Sequence, residues 1–479
     1  MRSPDLIVLG AGATGLAAAR AARRAGRTVV LVDKAEPGGD CTHFGCVPSK
    51  TLLDVAHRVA GAREAQKWGL EPIGGVAFAA VMRHVHDVIG QISADESPAR
   101  LESEGIELLR GWARFTGPTS VDVDGTAVKA SRVVLATGGH AVVPPIDGLD
   151  QVPYLDNRTL FDLTERPEHL LVLGGGAIGV ELAQAFVQLG SRVTLVEAAD
   201  RLLLKEEPEA AAVLSEVLQR DGVDVRTGAQ VTRVTAGPTL HLEDGTSVSG
   251  SHLFVAVGRR PATSGMGLEA AGVQIGRRGE VVTDAYLRTT ADGVFAAGDC
   301  TSPLQFTHVG DEQGRLAAGN AFAKGAALPA ALGGRTRFDD SVVPWVTFTD
   351  PEVGRVGMTE QQAFDAYGDR ARVAVVAVDE MDRTRTSAHT AGYLKLIAGP
   401  RPVARAQVLD RVVGLTAVMP AGGEIAATAA LAMRTGMLAG RIAQTIAPYP
   451  THGLGLRIAA ARLFGDFAGG SWRPARPDS

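Results

Sequence analysis

Cysteine is scarce in this sequence: its 479 residues include only Cys41, Cys46 and Cys300. Three cysteines exclude a secreted scaffold built on disulfides. Positive charge is not in excess either, since 48 Lys and Arg stand against 53 Asp and Glu for a net charge of −5. That balance argues against a polyanion binder, which needs surplus cations to neutralise phosphates. No apolar run reaches the ~18 residues of a membrane-spanning helix. Low-complexity linkers are missing as well. Arg2 before an apolar stretch with small residues at Ala17 to Ala19 imitates a secretory leader, but Asp5 interrupts it. The expectation is a soluble, cytoplasmic protein. Aromatic residues make up only 5 %, whereas glycine is abundant at 58 residues. A chain poor in aromatics and rich in Gly, Ala and Val suits nucleotide-binding α/β sheets, whose turns need close backbone approach. At ~150 residues per domain, the length suggests about three domains.

Residues 5–33, DLIVLGAGATGLAAARAARRAGRTVVLVD, read as a strand, a glycine turn, an Ala-rich helix and a second strand. Gly10, Gly12 and Gly15 form G-x-G-x-x-G, and Asp33 closes the second strand. Such glycines let the backbone approach a pyrophosphate at a helix N-terminus, and the carboxylate accepts bonds from a ribose. Residues 170–197, LLVLGGGAIGVELAQAFVQLGSRVTLVE, repeat the pattern with Gly174, Gly176, Gly179 and Glu197. Two complete motifs argue for two dinucleotides on one chain; the alternative is one binding unit and a degenerate duplicate.

Between and after them lie SRVVLATG at 131–138, HLFVAVGRRP at 252–261 and VVTDAYLRTTADGVFAAGDC at 281–300, each read as a strand running into a small-residue turn. The last reaches Gly298-Asp299, a carboxylate at the strand end where open α/β sheets bind ligands. Beyond residue 337 the texture becomes α+β, with strands expected at 372–379, 392–398 and 412–419 and a helix at 422–438. Boundaries fall near 147, 265 and 337. Residues 467–479, FAGGSWRPARPDS, read as a loose tail.

Cys41 and Cys46 sit in GGDCTHFGCVPSK, just after Asp33. A helix beginning near Cys41 would place its thiolate at a helix N-terminus and lower its pKa. The four-residue spacer lets the sulfurs meet in a disulfide; a zinc site is the rival, although no second Cys pair with ligand spacing is present. Cys300 reads as a small packing residue.

GAGATG, GGDCTHFGCVPSK, LATG, GGGAIGVELAQAF, AVGRRP, VFAAGDC and VPWVTFTDPEVGRVG occur in that order. Together they resemble the FAD-dependent pyridine nucleotide-disulfide oxidoreductases, such as dihydrolipoamide dehydrogenase, glutathione reductase and mercuric reductase, over nearly the whole chain. The resemblance implies an α/β fold with two Rossmann-like dinucleotide-binding domains and a C-terminal α+β dimerisation domain. Its segments would be 1–147 and 265–336 for FAD, 148–264 for NAD(P), and 337–466 for dimerisation, with 467–479 as the tail. It implies that Gly10, Gly12, Gly15 and Asp33 bind the ADP part of FAD and that Asp299 holds the ribityl chain. Trp112, Ala113, Ala136, Thr137 and Gly138 would touch FAD, and Gln305, Phe306, Thr307 and His308 would lie over the flavin. Gly174, Gly176, Gly179 and Glu197 would bind the nicotinamide cofactor, and Val231, Gly258 and Arg259 join the cofactor-binding set. Lys50 and Glu181 would pair beside the flavin. NAD(P)H reduces the flavin on one face and electrons leave through a Cys41–Cys46 disulfide on the other. Cys46 would face the flavin, and Cys41 would attack the substrate. The dimerisation domain implies a homodimer with shared active sites. Glu197, a carboxylate that repels a 2′-phosphate, favours NADH over NADPH, with Arg201 nearby to soften the preference.

One departure matters. The disulfide reductases of the family carry H-P-T-x-S-E near the C-terminus, whereas residues 449–454 here read YPTHGL. Tyr449 takes the acid–base histidine position and Leu454 that of its glutamate. A tyrosine there resembles mercuric reductase, but no cysteine follows Cys300, so the vicinal C-terminal pair of those enzymes is missing. His43 and His452 read as solvated or packing residues. The expected activity is transfer from NAD(P)H to a soft electrophile, a metal–thiolate or an oxidised sulfur species. The rivals are a dihydrolipoamide dehydrogenase-like reductase and a non-catalytic, redox-sensing flavoprotein.

Overall fold

The structure is a computed structural model that describes residues 3–477 apart from 73, 302, 326–331 and 401–409. Leu6–Leu9 (β1) and Val29–Asp33 (β2) are nearly continuous runs of Val, Ile and Leu, the composition of strands covered on both faces. They pair in parallel within a five-stranded sheet ordered 294–296, 132–135, 6–9, 29–33, 106–110. Between β1 and β2 runs helix Ala13–Arg24 (α1), and helix Thr307–Ala321 packs across it. The two helices touch closely because Gly314 meets the Thr14 carbonyl where a Cβ would collide.

A second parallel sheet is ordered 223–226, 192–196, 169–173, 252–255, with helix Ala177–Gln188 between its two central strands. The repeated motif thus yields a repeated strand–turn–helix–strand unit, and the glycines explain it twice. A Cβ on Gly15 would strike the Gly10 carbonyl, and one on Gly179 would strike that of Gly174. Gly10 and Gly174 also adopt φ +106° and +115°, which disfavour any other residue.

A third large sheet has six antiparallel strands ordered 344–347, 352–357, 411–419, 393–399, 372–377, 473–474. Helix Gly422–Arg434 lies against it and stops before Gly436, four residues short of the expected end. The stretch 281–300 contributes only a short strand, Val294–Ala296, followed by a 3₁₀ turn at Gly298–Cys300. Cys300 is fully buried there among apolar neighbours.

The C-terminal segment corrects the expectation of a loose tail. Arg473 and Pro474 pair with the edge strand, Arg473 ion-pairs with Glu360, and Ala475 is buried. A buried carboxylate needs a cation, and Glu360, 5 % exposed, takes Arg473 and Lys395. No helix among the described residues is long and apolar enough to cross a membrane.

Candidate active site

A cavity of about 810 Å³ opens at the C-terminal ends of the five-stranded sheet. Gly10, Gly12, Asp33, Ala113, Ala136, Thr137 and Gly138 line one part of it; Gly15 lies behind Gly10 as its packing partner. Trp112 lines it as well, with the Lys34 ammonium 4.5 Å from its ring centroid. The Asp33 carboxylate accepts the backbone N–H groups of Ala11 and Ala35 at 2.6 and 2.9 Å. Glu197 in the second unit repeats this, accepting from Gly175 and Ala199 at 2.6 and 2.8 Å. Each strand-end carboxylate therefore braces its glycine turn.

The other part of the cavity holds Cys41, Cys46, Lys50, Glu181, Arg259, Asp299, Gln305, Phe306 and Thr307. The cysteines are free thiols, Cys41 half-buried and Cys46 exposed. Cys41 falls inside the short helix Gly39–Phe44 (α2), whereas Cys46 is the first residue of the nineteen-residue helix Cys46–Glu64 (α3). A short helix thus begins near the first sulfur, as the sequence suggested, and a second, longer one begins at the other. A hydrogen bond from the Cys41 thiol pulls the Cys46 pKa down to about 5, aided by Thr307 and the Lys50 ammonium and opposed by burial. That same bond pushes Cys41 up, reinforced by burial and by the charge on Cys46. Of the two sulfurs, Cys46 is the one favoured as thiolate. Thr307 Oγ1 stands 3.1 Å from Cys41 Sγ, to which it donates, and 3.4 Å from Cys46 Sγ.

Lys50 projects from α3 one turn beyond Cys46, and its Nζ lies 2.8 Å from Glu181 Oε2. Glu181 is 3 % exposed and also accepts the Phe348 N–H at 2.8 Å, so its charge is held by two donors from separate segments. Asp299 lines the cavity with its pKa raised by burial, and Arg259 Nε lies 3.8 Å away.

Some expected residues sit elsewhere. His308 turns from the cavity, bonding the Pro344 carbonyl at 2.7 Å and stacking on Phe306. Gly174, Gly176, Glu197 and Gly258 belong to the turns of the second sheet, and Gly179 to the helix Ala177–Gln188, rather than to this cavity. The Val231 side chain is buried in an apolar cluster with Leu173 and Val196, away from this cavity. Arg259 bonds Asp40 at 2.6 Å and the Gly139 carbonyl at 2.9 Å, joining the first cavity rather than the second nucleotide unit. Tyr449 does not line the cavity; it is 70 % exposed and donates to Asp382 Oδ2 at 3.0 Å. His43 is tied to the Pro37 carbonyl at 2.8 Å.

The sequence reading missed a clip on α2. Arg158 bonds Asp40 at 2.8 Å and lies 5.0 Å over the Phe44 ring. Asn157 reaches Asp40 and the Phe44 carbonyl at 3.4 and 3.3 Å. Two adjacent residues thus grip both ends of the helix carrying Cys41. The visible signal was Asp40, an acidic residue in a turn of small ones; nothing in the sequence pointed to its partners.

A family model described as pyridine nucleotide-disulphide oxidoreductase matches residues 4–314, and the dimerisation-domain model of the same name matches 343–459. A mercuric reductase of Streptomyces lividans is 37 % identical over 97 % of this chain and 97 % of its own length. A dihydrolipoyl dehydrogenase of Thermus scotoductus is 34 % identical over 97 % of this chain and 98 % of its own. Among solved structures, the Cu(II) complex of the HOCl-induced flavoprotein disulfide reductase RclA from Escherichia coli superposes with a TM-score of 0.84. It is 28 % identical and covers 96 % of this chain and 99 % of its own.

Proposed function

This chain belongs to the pyridine nucleotide-disulphide oxidoreductases, and from that premise we propose that it delivers electrons through Cys41 and Cys46 to a soft electrophile, in the manner of a mercuric reductase-like enzyme. It is a flavoprotein that uses FAD and NAD(P)H. The cavity suits FAD: it is glycine-walled where a Cβ on Gly10 would collide with the Ala136 carbonyl, and it carries Asp33 at one part and Asp299 at the other. Gly10, Gly12, Asp33, Thr137, Gly138 and Asp299 would hold it. Bound FAD supplies hydride acceptance from NAD(P)H and two-electron delivery to the cysteine pair.

The chain's own groups prepare the sulfurs. Lys50 puts a fixed positive charge near Cys46, and buried Glu181 holds that ammonium in place. The Thr307 hydroxyl donates into the pair and favours charge on sulfur. Cys46 is the standing thiolate, whereas Cys41 keeps its proton until substrate arrives. The observation that carries the reading is the convergence of both thiols, Thr307 and the Lys50–Glu181 pair on one cavity.

Tyr449 distinguishes the substrate class. A phenol of pKa ~10 shuttles protons poorly at neutral pH. It can still accept or donate a hydrogen bond beside a thiolate-bound metal. A substrate leaving as a metal or small anion needs no protonation, whereas a leaving thiolate does. The dimerisation domain supports a homodimer, in which one protomer's exposed Tyr449 serves its partner's cysteine pair. The second reading, a dihydrolipoamide dehydrogenase-like reductase, is favoured by the Thermus relative and disfavoured by Leu454 in place of the orienting glutamate.

Anaerobic NADH titration of the purified yellow protein tests the proposal. A long-wavelength thiolate–flavin band should develop at about one equivalent, and Cys46→Ser should abolish both the band and thiol-dependent turnover while FAD stays bound. Full substrate turnover by both Cys41→Ser and Cys46→Ser overturns it.

A further inference from the structure

Glu206 is a buried carboxylate, 6 % exposed, that the chemistry above does not use. Its Oε1 accepts the indole N–H of Trp345 at 2.6 Å, and its Oε2 lies 3.7 Å from Arg355 Nη1. The Arg355 guanidinium sits 4.7 Å over the Trp345 ring. On Trp345 stacks Phe306, with centroids 5.7 Å apart and planes at 12°; on Phe306 stacks His308, at 5.5 Å and 13°. His308 closes the arrangement by bonding the carbonyl of Pro344, the neighbour of Trp345. Four planar groups, from Arg355 to His308, therefore lie in one pile. The two members at its end flank Thr307, whose hydroxyl lies within 3.4 Å of both cysteine sulfurs.

Neither Glu206 nor Arg355 is among the residues lining the cysteine cavity, and Trp345 is not either. Glu206 follows the second parallel sheet's central strands in the chain, and Trp345 and Arg355 lie on adjacent strands of the antiparallel sheet. Thr307 opens the helix Thr307–Ala321, and a Thr hydroxyl in a first turn has rotational freedom that packing against its neighbours removes. Stacked aromatic pairs contribute directional attraction beyond burial. Oε2 has no hydrogen bond of its own, so a Glu206 carboxylate that lost the indole donor would be left with neither oxygen hydrogen-bonded.

We infer that Trp345, anchored by Glu206, is a positioning residue that holds the Thr307 hydroxyl over the Cys41–Cys46 pair. The thiolate state of Cys46 then depends on how two other structural units meet the first. Besides Thr307, Cys46 faces the Cys41 thiol, the Lys50 ammonium and the carboxylates of Glu181 and Asp299; Trp345 bonds Glu206 and stacks with Arg355 and Phe306, so its effect runs through Phe306 to Thr307. The inference rests on the reading of Cys46 as the thiolate of the reduced enzyme.

The test is a double-mutant cycle on FAD-loaded enzyme reduced by two electrons, with the pH at half-height of the thiolate–flavin band as readout. The pH profile of cysteine modification by methyl methanethiosulfonate, mapped by mass spectrometry, needs no flavin band. Thr307→Val and Trp345→Ala should each raise the half-point by about half a pH unit or more. The double variant should move no further than Thr307→Val, because both changes remove the same hydroxyl contact. Trp345→Phe, which keeps the stack, should recover most of the shift, and Glu206→Gln, which keeps an acceptor, should lie near wild type. If Trp345→Ala does not fold, Phe306→Leu is the substitute and should give the same non-additive shift. A wild type without the band but with shifted modification profiles defeats the flavin-side reading and keeps this one. Additive shifts, or a half-point equal to wild type in Thr307→Val or Trp345→Ala, overturn the inference.

Discussion

Replacing Cys41 by alanine removes the largest contributor that lowers the Cys46 pKa, the hydrogen bond from the neighbouring thiol. With that bond in place Cys46 falls from the ordinary 9.0 to about 5. At pH 6 a thiol of pKa ~5 is about 90 % thiolate, whereas one of pKa ~9 is about 0.1 %. Thr307 and Lys50 still act in Cys41→Ala, so the variant should stop between these limits. A rise of at least one unit is expected, which takes the thiolate at pH 6 from about 90 % to about 50 % or less. Cys41→Ser keeps a hydroxyl donor and should lie between wild type and the alanine variant. Both variants leave an unpaired Cys46 beside oxidised FAD, so a long-wavelength band should appear without reductant, growing as pH rises through the Cys46 pKa. The assay is absorbance of the FAD-loaded variants from about pH 4 to 10, fitted for one inflection. An inflection near the ordinary value in Cys41→Ser, or no upward movement in Cys41→Ala, refutes the electrostatic account of the pair.

Lys395 is 3 % exposed and faces Glu207 at 3.5 Å and Glu360 at 3.0 Å, so Lys395→Met should cost about 3–5 kcal/mol by stranding buried carboxylates, read by denaturant unfolding; a cost below about 1 kcal/mol contradicts this. Against burial, Arg473 and Lys395 hold Glu360 down from 4.5 to about 2. A depressed pKa stabilises the fold above pH ~4.5, and about 3 kcal/mol should vanish as pH falls towards ~2, so Arg473→Gln should raise the acid-unfolding midpoint followed by circular dichroism. Glu197 ends its strand as a carboxylate, and the Arg201 guanidinium is occupied with the Glu206 and Leu204 carbonyls, so NADH should be preferred and Glu197→Ala should shrink the preference; a wild-type kcat/KM favouring NADPH about tenfold, ~1.4 kcal/mol, overturns it. Tyr449→Phe breaks only an exposed bond to Asp382, so it should lower turnover of metal–thiol adducts while the unfolding midpoint stays unchanged.

What the sequence disclosed depended on how local the cause was. The two glycine turns were legible because the collisions they avoid, Gly15 on Gly10 and Gly179 on Gly174, lie within five residues. Asp33 and Glu197 were legible because one strand–turn–helix–strand unit fixes their distance from those turns. Lys50 and Glu181 meet across 131 residues, and only the family resemblance foretold the pair. Thr307 was expected in the region, but its reach to both sulfurs is a tertiary contact across 266 and 261 residues that no local pattern announces. The roles of the two sulfurs came from the family resemblance alone, because local pattern does not bring Thr307 and Lys50 to Cys46 or show that two helices meet at Gly45. The C-terminal segment looked loose by its Gly and Pro content, yet a single arginine, Arg473, found a buried carboxylate.

The central claim is that electrons leave through the Cys41–Cys46 pair to a soft electrophile rather than to a dithiol-forming disulfide. The most direct measurement is NADH oxidation by the purified FAD enzyme across one panel: Hg(II)–thiol adducts, Cu(II), lipoamide, glutathione disulfide and hypothiocyanite. The account predicts cysteine-dependent turnover with a metal–thiol adduct or hypothiocyanite, lost in Cys46→Ser, and low rates with lipoamide and glutathione disulfide. Brisk lipoamide turnover with a bell-shaped pH profile, abolished by His452→Ala, would contradict it by showing that a displaced histidine had taken the acid–base role.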